Sequence, residues 1–365
     1  MNLIEIVEGK TKLLIPKDSL NSNTPPKDPA FFNPKARMSR DMAVLAYRAY
    51  QDKAEIIDAL AGIGARGLRA VKEAENIRYA YINDINPQAI EIAKEISKIN
   101  DILNCKFSIC PANRLLVESE RVSIVEIDPF GTPVYYIDNA IRAVKDGGMI
   151  CITATDTPVL QGLYPRIALR RYYGLSLRSE YSNEIGLRLM LGLLAFTAAR
   201  LELAIKPLFV HAIRNHLRVY AKIIVSRKGA DSMLDNLKCV YHCFKCNNRG
   251  LDKTCTNCMK DMNRVGPLWI GEIFDKEFVN KMKNAYDETL DKRCMKVLSI
   301  AEDELDVISY YTIDEISKRL RITPIKLEQI VYRLKSNGFK ASRTSLMLNG
   351  FKSDADYNTI LKILA

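Results

Sequence analysis

The sequence lacks the features that would place it in a membrane or a secretory compartment. It has no run of about 18 uncharged apolar residues, so a membrane span is not expected. The N-terminal stretch MNLIEIVEGKTKLLIPKD is interrupted by charges and matches no signal peptide. The nine cysteines are odd in number and several lie in apolar stretches, among them Cys110 and Cys151. This argues against a disulfide framework and favours a reducing cytoplasm.

Negative charge is also scarce relative to positive charge. The chain has 54 Lys and Arg against 43 Asp and Glu, a net charge of +11, and its pI is about 9.1. Such an excess favours an anionic partner, most simply nucleic acid, with a solvated basic surface as the alternative. The length of 365 residues, 48% of them hydrophobic, suits two domains and a small extra module.

Short apolar runs alternate with helical patterns between residues 55 and 155. The runs at 55–60, 78–84, 105–110, 122–127 and 147–155 predict five strands. Repeated strand–helix units predict an α/β fold with a doubly wound parallel sheet. LELAIKPLFVHAI and RVYAKIIVS predict two more strands at one edge, and SNEIGLRLMLGLLAFTAARL predicts a long, mostly buried helix.

A glycine-rich turn follows the first predicted strand. Gly62, Gly64 and Gly67 spell G-x-G-x-x-G between a strand and a helix, and Asp84 ends the second strand. The glycines let a ligand lie against the backbone near the positive end of a helix, and Asp84 can accept both hydroxyls of a ribose. The pattern fits a dinucleotide and S-adenosylmethionine (SAM) equally, and a glycine-rich turn without a ligand is the simplest alternative.

The fourth predicted strand ends on Asp128, which Pro129, Phe130 and Gly131 follow. In an open parallel sheet the carboxyl ends of the strands face the ligand crevice, so Asp128 should lie near the reactive end of a cofactor. A dehydrogenase needs a proton donor such as His or Lys there. A carboxylate beside an aromatic ring instead suits the exocyclic amine of a base, on which Phe130 can stack. Turn formation alone is the alternative.

Two cysteine pairs predict a metal site. Cys243, Cys246, Cys255 and Cys258 form C-x2-C-x8-C-x2-C, a spacing typical of a structural zinc site, with a redox role as the alternative. Cys239 and His242 lie nearby with poorer spacing.

Two later segments suggest contact with RNA. Residues 161–218 hold nine positive and three negative side chains; within them Arg166, Arg170, Arg171, Tyr172 and Tyr173 could follow a phosphate backbone and stack on bases. A solvated helix face is the alternative. Beyond Gly266 the pattern of helix, short turn, helix and strand resembles a winged helix, and an ordinary three-helix cap fits equally well.

Six segments occur in the order seen in the tRNA (guanine-26-N2)-dimethyltransferases: FFNPKARMSRD, DALAGIGARGLR, INDINPQA, PANRLL, EIDPFGTP and TATDTPVLQGLYPR. The chain resembles that family over nearly its whole length. The resemblance implies a Rossmann-like, SAM-dependent methyltransferase domain at 1–238, a zinc knuckle and linker at 239–266, and a smaller α+β, RNA-positioning domain at 267–365. It also implies mono- and dimethylation of the exocyclic N2 amine of guanine 26 of tRNA, in the cytoplasm, with no obligatory protein partner.

The resemblance assigns roles to individual residues. Asp128 would be the catalytic carboxylate, with Phe130 beside it, and Arg40 would contact the SAM carboxylate or order the site. Pro111 stands where the family usually has an acid, so Asn113 or a backbone group would bind the adenine amine. The residues expected to bind the cofactor are Arg40, Asp58, Gly62, Gly64, Arg66, Asp84 and Ala112.

The aromatic residues Phe31 and Phe32 are candidates to line a slot for the target base, and packing in the core is the alternative for both. Three other functions share part of these features. An amino-methyltransferase acting on another RNA or DNA base would share the Asp128 site. A nicotinamide dehydrogenase would share the glycine turn, and a non-catalytic RNA-binding protein would share the zinc module.

Overall fold

The computed structural model describes residues 2–21 and 30–365. Its strands are β1 (Leu3–Glu8), β2 (Thr11–Pro16), β3 (Ala54–Asp58), β4 (Ile77–Asn83), β5 (Cys105–Ser108), β6 (Val122–Ile127), β7 (Val144–Ala154), β8 (Leu203–Ile213), β9 (His216–Val225), β10 (Leu237–His242), β11 (Arg249–Gly250), β12 (Asn263–Trp269), β13 (Tyr311–Thr312), β14 (Ala341–Arg343) and β15 (Gly350–Ser353). Its helices are α1 (Asp18–Asn21), α2 (Arg37–Ala49), α3 (Ala65–Glu73), α4 (Pro87–Ile99), α5 (Ala112–Glu118), α6 (Ile137–Ala143), α7 (Thr157–Leu160), α8 (Pro165–Tyr172), α9 (Ser182–Ala199), α10 (Arg227–Leu234), α11 (Lys276–Asn284), α12 (Arg293–Asp303), α13 (Ile313–Leu320), α14 (Leu327–Ser336) and α15 (Tyr357–Leu364). A short 3-10 helix covers Pro34–Ala36.

The chain forms two compact units. The first comprises Met1–Ala154, Tyr220–Val225 and Glu277–Leu298. The second comprises Thr155–Val219, Ser226–Lys276 and Ser299–Ala365. The division into domains at residues 238 and 266 stays a prediction.

A seven-stranded sheet has the strand order β5-β4-β3-β6-β7-β9-β8. The pairs β4–β5, β3–β4, β3–β6 and β6–β7 are parallel, so the predicted doubly wound sheet is confirmed. All six residues of β6 are buried, as its unbroken apolar run predicts. Because parallel strands end at the same edge, Asp58 at the end of β3, Asp84 directly after β4 and Asp128 directly after β6 lie along that edge.

The N-terminal hairpin of β1 and β2 was not apparent from the sequence because charged residues interrupt its apolar residues. The two strands pair antiparallel from Leu3 with Pro16 to Glu8 with Thr11. Leu13 and Ile15 are fully buried, whereas Glu8 is a buried carboxylate at the end of β1. The hairpin therefore supplies both apolar packing and a charged partner to the first unit.

The second unit contains two small antiparallel sheets, with the orders β11-β10-β12 and β13-β15-β14. The element order β13, α13, α14, β14, β15 is that of a winged helix, as predicted. Leu327, Ile330 and Leu334 recur on one face of α14 and are buried in the core of this segment. Helix α9 is buried along almost its whole length. No helix in the described residues combines the length and apolar character needed to cross a membrane.

Candidate active site and metal centre

The glycine turn connects β3 to α3. Gly62 and Gly64 have positive φ angles of 54° and 77°, which favour glycine, and Gly64 is the N-cap of α3. A Cβ atom at Gly67 would lie 2.3 Å from Ile82 Cδ1, so this glycine allows the helix to pack closely on β4. The turn therefore presents backbone at the start of a helix, where an anionic or polar ligand group is favoured.

Asp84 is fixed by two backbone donors. Its Oδ2 atom accepts a hydrogen bond from the Gly62 N–H at 2.8 Å, and its Oδ1 atom accepts one from the Asn86 N–H at 2.9 Å. The carboxylate is half-buried, and each oxygen keeps lone-pair capacity for another donor. Its geometry suits two hydroxyls of a ribose.

Asp58 is a buried carboxyl group with one unsatisfied oxygen. Its Oδ2 atom accepts from the Gly67 N–H at 2.9 Å, whereas the buried Oδ1 atom has no hydrogen-bond partner among the described residues. Burial, followed by the neighbouring charge of Glu126, raises the pKa of Asp58 to about 8. An orphaned acidic oxygen beside the glycine turn fits a cationic ligand group, and the α-ammonium of SAM is such a group.

Arg66 links the glycine turn to the end of β6. Its Nε atom donates to Asp128 Oδ2 at 2.8 Å and lies 3.8 Å from Glu126 Oε1. Its guanidinium also donates to the carbonyl oxygen and the Oγ atom of Ser39, both at 3.2 Å. Tyr47 in turn donates to Glu126 Oε2 at 2.6 Å. The guanidinium thus holds the Asp128 carboxylate in one orientation. The Asp128 side chain is 28% exposed.

Arg40 is buried in the first unit. It makes a bidentate ion pair with Glu8, with donor–acceptor distances of 2.7 and 2.6 Å, and donates to the Asn33 carbonyl at 3.1 Å. Its guanidinium lies 4.4 Å from the centre of the Phe32 ring. Burial opposes the charged form of Glu8, but Arg40 and Arg69 hold its pKa below the usual value. Of the two roles expected for Arg40, these contacts favour ordering the site.

Two aromatic rings meet beside Asp128. Phe130 is 63% exposed and packs edge to face with Phe31, with ring centroids 4.5 Å apart and planes at 89°. Phe32 is buried, and the Arg40 guanidinium lies against its ring. Of the two candidate rings, only Phe31 therefore lies beside Phe130. An exposed ring braced by a second ring suits stacking against a planar ligand.

The residue expected to contact the adenine lies at the start of α5. Ala112 begins α5 and is buried. The Asn113 side chain donates to the Tyr135 carbonyl at 3.0 Å and accepts from Asn139 Nδ2 at 3.1 Å. Because the Asn113 side chain already makes these two hydrogen bonds, the geometry favours a backbone group as the hydrogen-bond partner of the adenine amine.

The four cysteines of the predicted metal site come together. The Sγ atoms of Cys243, Cys246, Cys255 and Cys258 all lie within 4.8 Å of one another. Cys243 and Cys255 open two matching turns, in which each accepts a backbone bond from the residue four positions later. The cluster could therefore hold a tetrahedral zinc ion. His242 instead lies against Phe244 and Tyr181, with its Nδ1 atom 3.3 Å from the tyrosine hydroxyl.

Arg249 lies between the two cysteine pairs and anchors this loop within the second unit. Its Nη2 atom donates to both carboxylate oxygens of Glu315 of α13, at 3.0 and 2.9 Å. It also lies between the rings of Tyr181 and Tyr311, at 4.5 and 4.0 Å from their centroids. Sequence spacing gave no sign of this contact, because 66 residues separate Arg249 from Glu315.

The arginines of residues 161–218 divide into two groups. Arg188 and Arg218 are buried, and Arg188 pairs with Glu184 at 2.8 Å. Arg171 and Tyr172 both bind Asp156, at 3.1 and 2.7 Å. Arg166, Arg170 and Tyr173 are exposed. The structure therefore leaves only part of the predicted basic segment on the surface.

Known proteins are similar to this chain over almost its whole length. Residues 9–365 match the family model for N2,N2-dimethylguanosine tRNA methyltransferase. The tRNA (guanine(26)-N(2))-dimethyltransferases of Methanosarcina barkeri and Pyrococcus furiosus are each 32% identical to the chain, covering 98% and 100% of it and 97% and 99% of their own lengths. The structure of Trm1 from Pyrococcus horikoshii with SAM is similar, with a TM-score of 0.87, 31% identity and 99% coverage of both chains. The chain belongs to the N2,N2-dimethylguanosine tRNA methyltransferase family.

Proposed function

We propose that this chain transfers methyl groups from SAM to the exocyclic N2 amine of guanine 26 in tRNA, giving first the mono- and then the dimethylated base. Relatives of the family carry this activity in their names, and one similar structure contains SAM. The observation that carries the proposal is the Asp128 carboxylate, held by Arg66 at the end of β6 and placed beside exposed Phe130.

The cofactor would lie along the edge where β3, β4 and β6 end. Asp84 would accept the ribose hydroxyls, and the orphaned Oδ1 atom of Asp58 would accept from the ammonium group. Gly62 and Gly64 would allow close approach of the backbone, and Ala112 would lie against the adenine. SAM supplies a methyl group carried on a positively charged sulfur.

Asp128 acts on the amine of the base. The nitrogen lone pair of a guanine amine is delocalised into the ring, so the amine is a weak nucleophile. By accepting one N–H bond, the carboxylate orients the amine and stabilises the positive charge that grows on nitrogen as the new N–C bond forms. Asp128 need not remove the proton beforehand, because the proton becomes acidic only as that charge develops. The proton would then pass to the Asp128 carboxylate, and the bond between the methyl group and sulfur would break as the N–C bond forms. The bond from Arg66 keeps the carboxylate oriented throughout.

The same carboxylate serves a second methyl transfer. After the first methylation the amine still carries one N–H, which Asp128 can accept as before. Phe130 would stack on the guanine, which must leave the base stack of the folded RNA to reach this site. Phe31 braces the ring of Phe130 from its edge.

The body of the tRNA would be positioned by the segment 267–365. Helices α13 and α14 expose Lys318, Arg319, Arg333 and Lys335, together with Tyr332, which is 71% exposed. Cations and an aromatic ring on neighbouring helices suit a phosphate backbone. We also propose that the protein acts in the cytoplasm, because none of its nine cysteines forms a disulfide, which suits a reducing compartment.

Nucleoside mass analysis tests the proposal. Unmodified tRNA transcript incubated with the protein and SAM should yield N2-methylguanosine early and N2,N2-dimethylguanosine later. A transcript with adenosine at position 26 is the matched control and should stay unmodified. A methyl group on another base would support an amino-methyltransferase of different specificity. Unchanged RNA mass with a folded, SAM-binding protein would contradict the proposed function.

A further inference from the structure

Helix α8 carries an exposed stripe that the proposed chemistry does not use. Arg166, Leu169 and Arg170 follow one another at i, i+3 and i+4, the spacing that places side chains on one face of a helix, and Tyr173 is the residue that ends α8 as its C-cap. We call these four residues the α8 stripe. All four are exposed, Leu169 by 40% and Tyr173 by 52%. Two cations, an aliphatic side chain and an aromatic ring are therefore exposed within eight consecutive residues.

The opposite face of α8 fixes the helix in place. Ala168 and Tyr172 are buried on that face. The Tyr172 hydroxyl donates to Asp156 Oδ1 at 2.7 Å, and Arg171 Nη1 donates to the other oxygen of Asp156 at 3.1 Å. The α8 stripe is thus presented by an anchored helix, which lowers the ordering cost of any contact it makes.

The C-terminal end of the stripe is held in an unusual backbone conformation. Tyr173 has a φ angle of 59°, in the left-handed region that a non-glycine residue adopts only when its surroundings hold it there. A Cβ atom at the next residue, Gly174, would lie 2.3 Å from the Pro267 carbonyl oxygen. Leu175 then exchanges two backbone hydrogen bonds with Gly266, at 2.9 and 2.8 Å. The Tyr173 ring itself packs edge to face against Phe196, with ring centroids 6.0 Å apart, and remains 52% exposed.

The charge around the stripe has one sign. Residues 157–179 contain four arginines and neither Asp nor Glu. Arg171 is committed to Asp156, whereas Arg166 and Arg170 have no acidic partner in the part of the chain that the structure describes. Two unneutralised guanidinium groups are suited to phosphates, with which they form charge-assisted hydrogen bonds.

We propose that the α8 stripe is a tRNA contact surface in which Arg166 and Arg170 neutralise two backbone phosphates and Tyr173 stacks on an unpaired base. This inference rests on the proposed function, because it takes tRNA as the partner. Single-stranded RNA is recognised by aromatic rings and arginine, which are the groups that the stripe exposes. A second copy of this chain is a less suitable occupant, since it would have to approach two unpaired arginines with an identical basic surface.

Salt-dependent tRNA binding tests the two arginines. Each phosphate contact contributes about 0.7–0.9 to the slope of log affinity against log salt. The double variant Arg166→Gln, Arg170→Gln should therefore reduce that slope by about 1.4–1.8, and its tRNA affinity at 0.1 M salt should fall by roughly 25- to 60-fold. The matched control is Arg227→Gln, Lys228→Gln on α10 of the same unit, which removes two cations from another helix and should leave the slope unchanged.

Substitution of Tyr173 tests the stacking contact separately. Tyr173→Ala should lower tRNA affinity by about 5- to 150-fold without changing the salt slope, whereas Tyr173→Phe should bind like the parent. SAM affinity should be unchanged in every variant. The inference is overturned if the double arginine variant keeps the parent slope and affinity, or if the variants change only the sedimentation of the free protein. Failure of the parent to form dimethylguanosine, with these binding effects present, would instead refute the proposed function alone.

Discussion

Binding of SAM should displace a proton from Asp58. The carboxyl group is buried, its Oδ1 atom is unsatisfied, and burial together with Glu126 raises its pKa to about 8. At pH 7 a group with a pKa of 8 is about nine-tenths protonated. An ammonium group placed against Oδ1 stabilises the carboxylate, so the proton leaves as the ligand binds. Arg66 lowers the pKa of Asp58 and Asp128 raises it, and both are smaller influences than burial.

The magnitude follows from the two titrations. Loss of the Asp58 proton releases about 0.9 proton per SAM bound. The SAM amine has a pKa near that of an α-amino group, so completing its protonation takes up about 0.1 proton. A net release of about 0.8 proton per SAM at pH 7 is expected. Calorimetry in buffers with different ionisation enthalpies measures this number directly. Asp58→Asn should abolish the release, whereas Asp84→Asn should weaken binding and retain it.

The same pKa predicts how the free protein responds to pH. Because the folded-state pKa lies above the ordinary value of 3.8 for an aspartate side chain, the folded protein retains a proton that the unfolded chain loses. The contribution of Asp58 to the free energy of unfolding is fully present below pH 3.8 and declines as the pH rises towards 8. Asp58→Asn should therefore stabilise the free protein at pH 8, by on the order of 1–4 kcal/mol, while it weakens SAM binding. Proton release below about 0.2 per SAM, or a variant that binds SAM as tightly as the parent, would refute the reasoning.

Three further predictions concern the metal, the buried ion pair and the base slot. Elemental analysis of metal-washed, reduced protein should find about one zinc per chain, and its absence would count against a tetrathiolate site. Glu315→Gln should lower the free energy of unfolding in urea by about 3–5 kcal/mol, because it leaves Arg249 buried without a charged partner. The double variant Arg249→Met, Glu315→Leu should recover much of that loss, and a single variant as stable as the parent would contradict a structural role for the pair. Phe130→Ala should cost about 1–3 kcal/mol in capture of the base and leave SAM affinity unchanged, as tRNA and SAM titrations of the same sample would show.

A variant that lacks residues 267–365 would not test the role of this segment in tRNA positioning by itself. Glu277–Leu298, which includes α11, belongs to the first unit, so that deletion would also disturb the unit that carries the active site. Arg333→Gln, Lys335→Gln on α14 avoids this problem. It should weaken tRNA binding and spare SAM binding, and equal loss of both would indicate a role in folding.

The sheet and the motif positions were predictable because they depend on local patterns. An apolar run followed by Gly62 and Gly64 specifies a buried strand, a tight turn and a helix start, and the four cysteines carry their spacing in the sequence. The partners that tune the site were not predictable. Arg66 and Asp128 are 62 residues apart, and only the pairing of β3 with β6 brings their segments together.

Other contacts were hidden because their residues break the local pattern. Glu8 sits at the end of a strand whose charges obscured it, and Glu126 is a carboxylate within an otherwise apolar strand. A charged residue inside a fully buried run costs free energy unless it is paired, so its presence is a signal of a partner elsewhere. That signal identifies Glu126 as a site residue but cannot name Tyr47 or Arg66 as its partners.

Single-turnover methylation of tRNA at saturating SAM tests the central claim most directly. Asp128→Ala should bind SAM like the parent and transfer no measurable methyl group. Asp128→Asn, whose amide oxygen can still accept one N–H without a charge, should lose roughly 2–4 kcal/mol of transition-state stabilisation, a slowing of about 30- to 1,000-fold. A folded Asp128→Ala protein that methylates guanine 26 at the parent rate would show that this carboxylate only forms a turn.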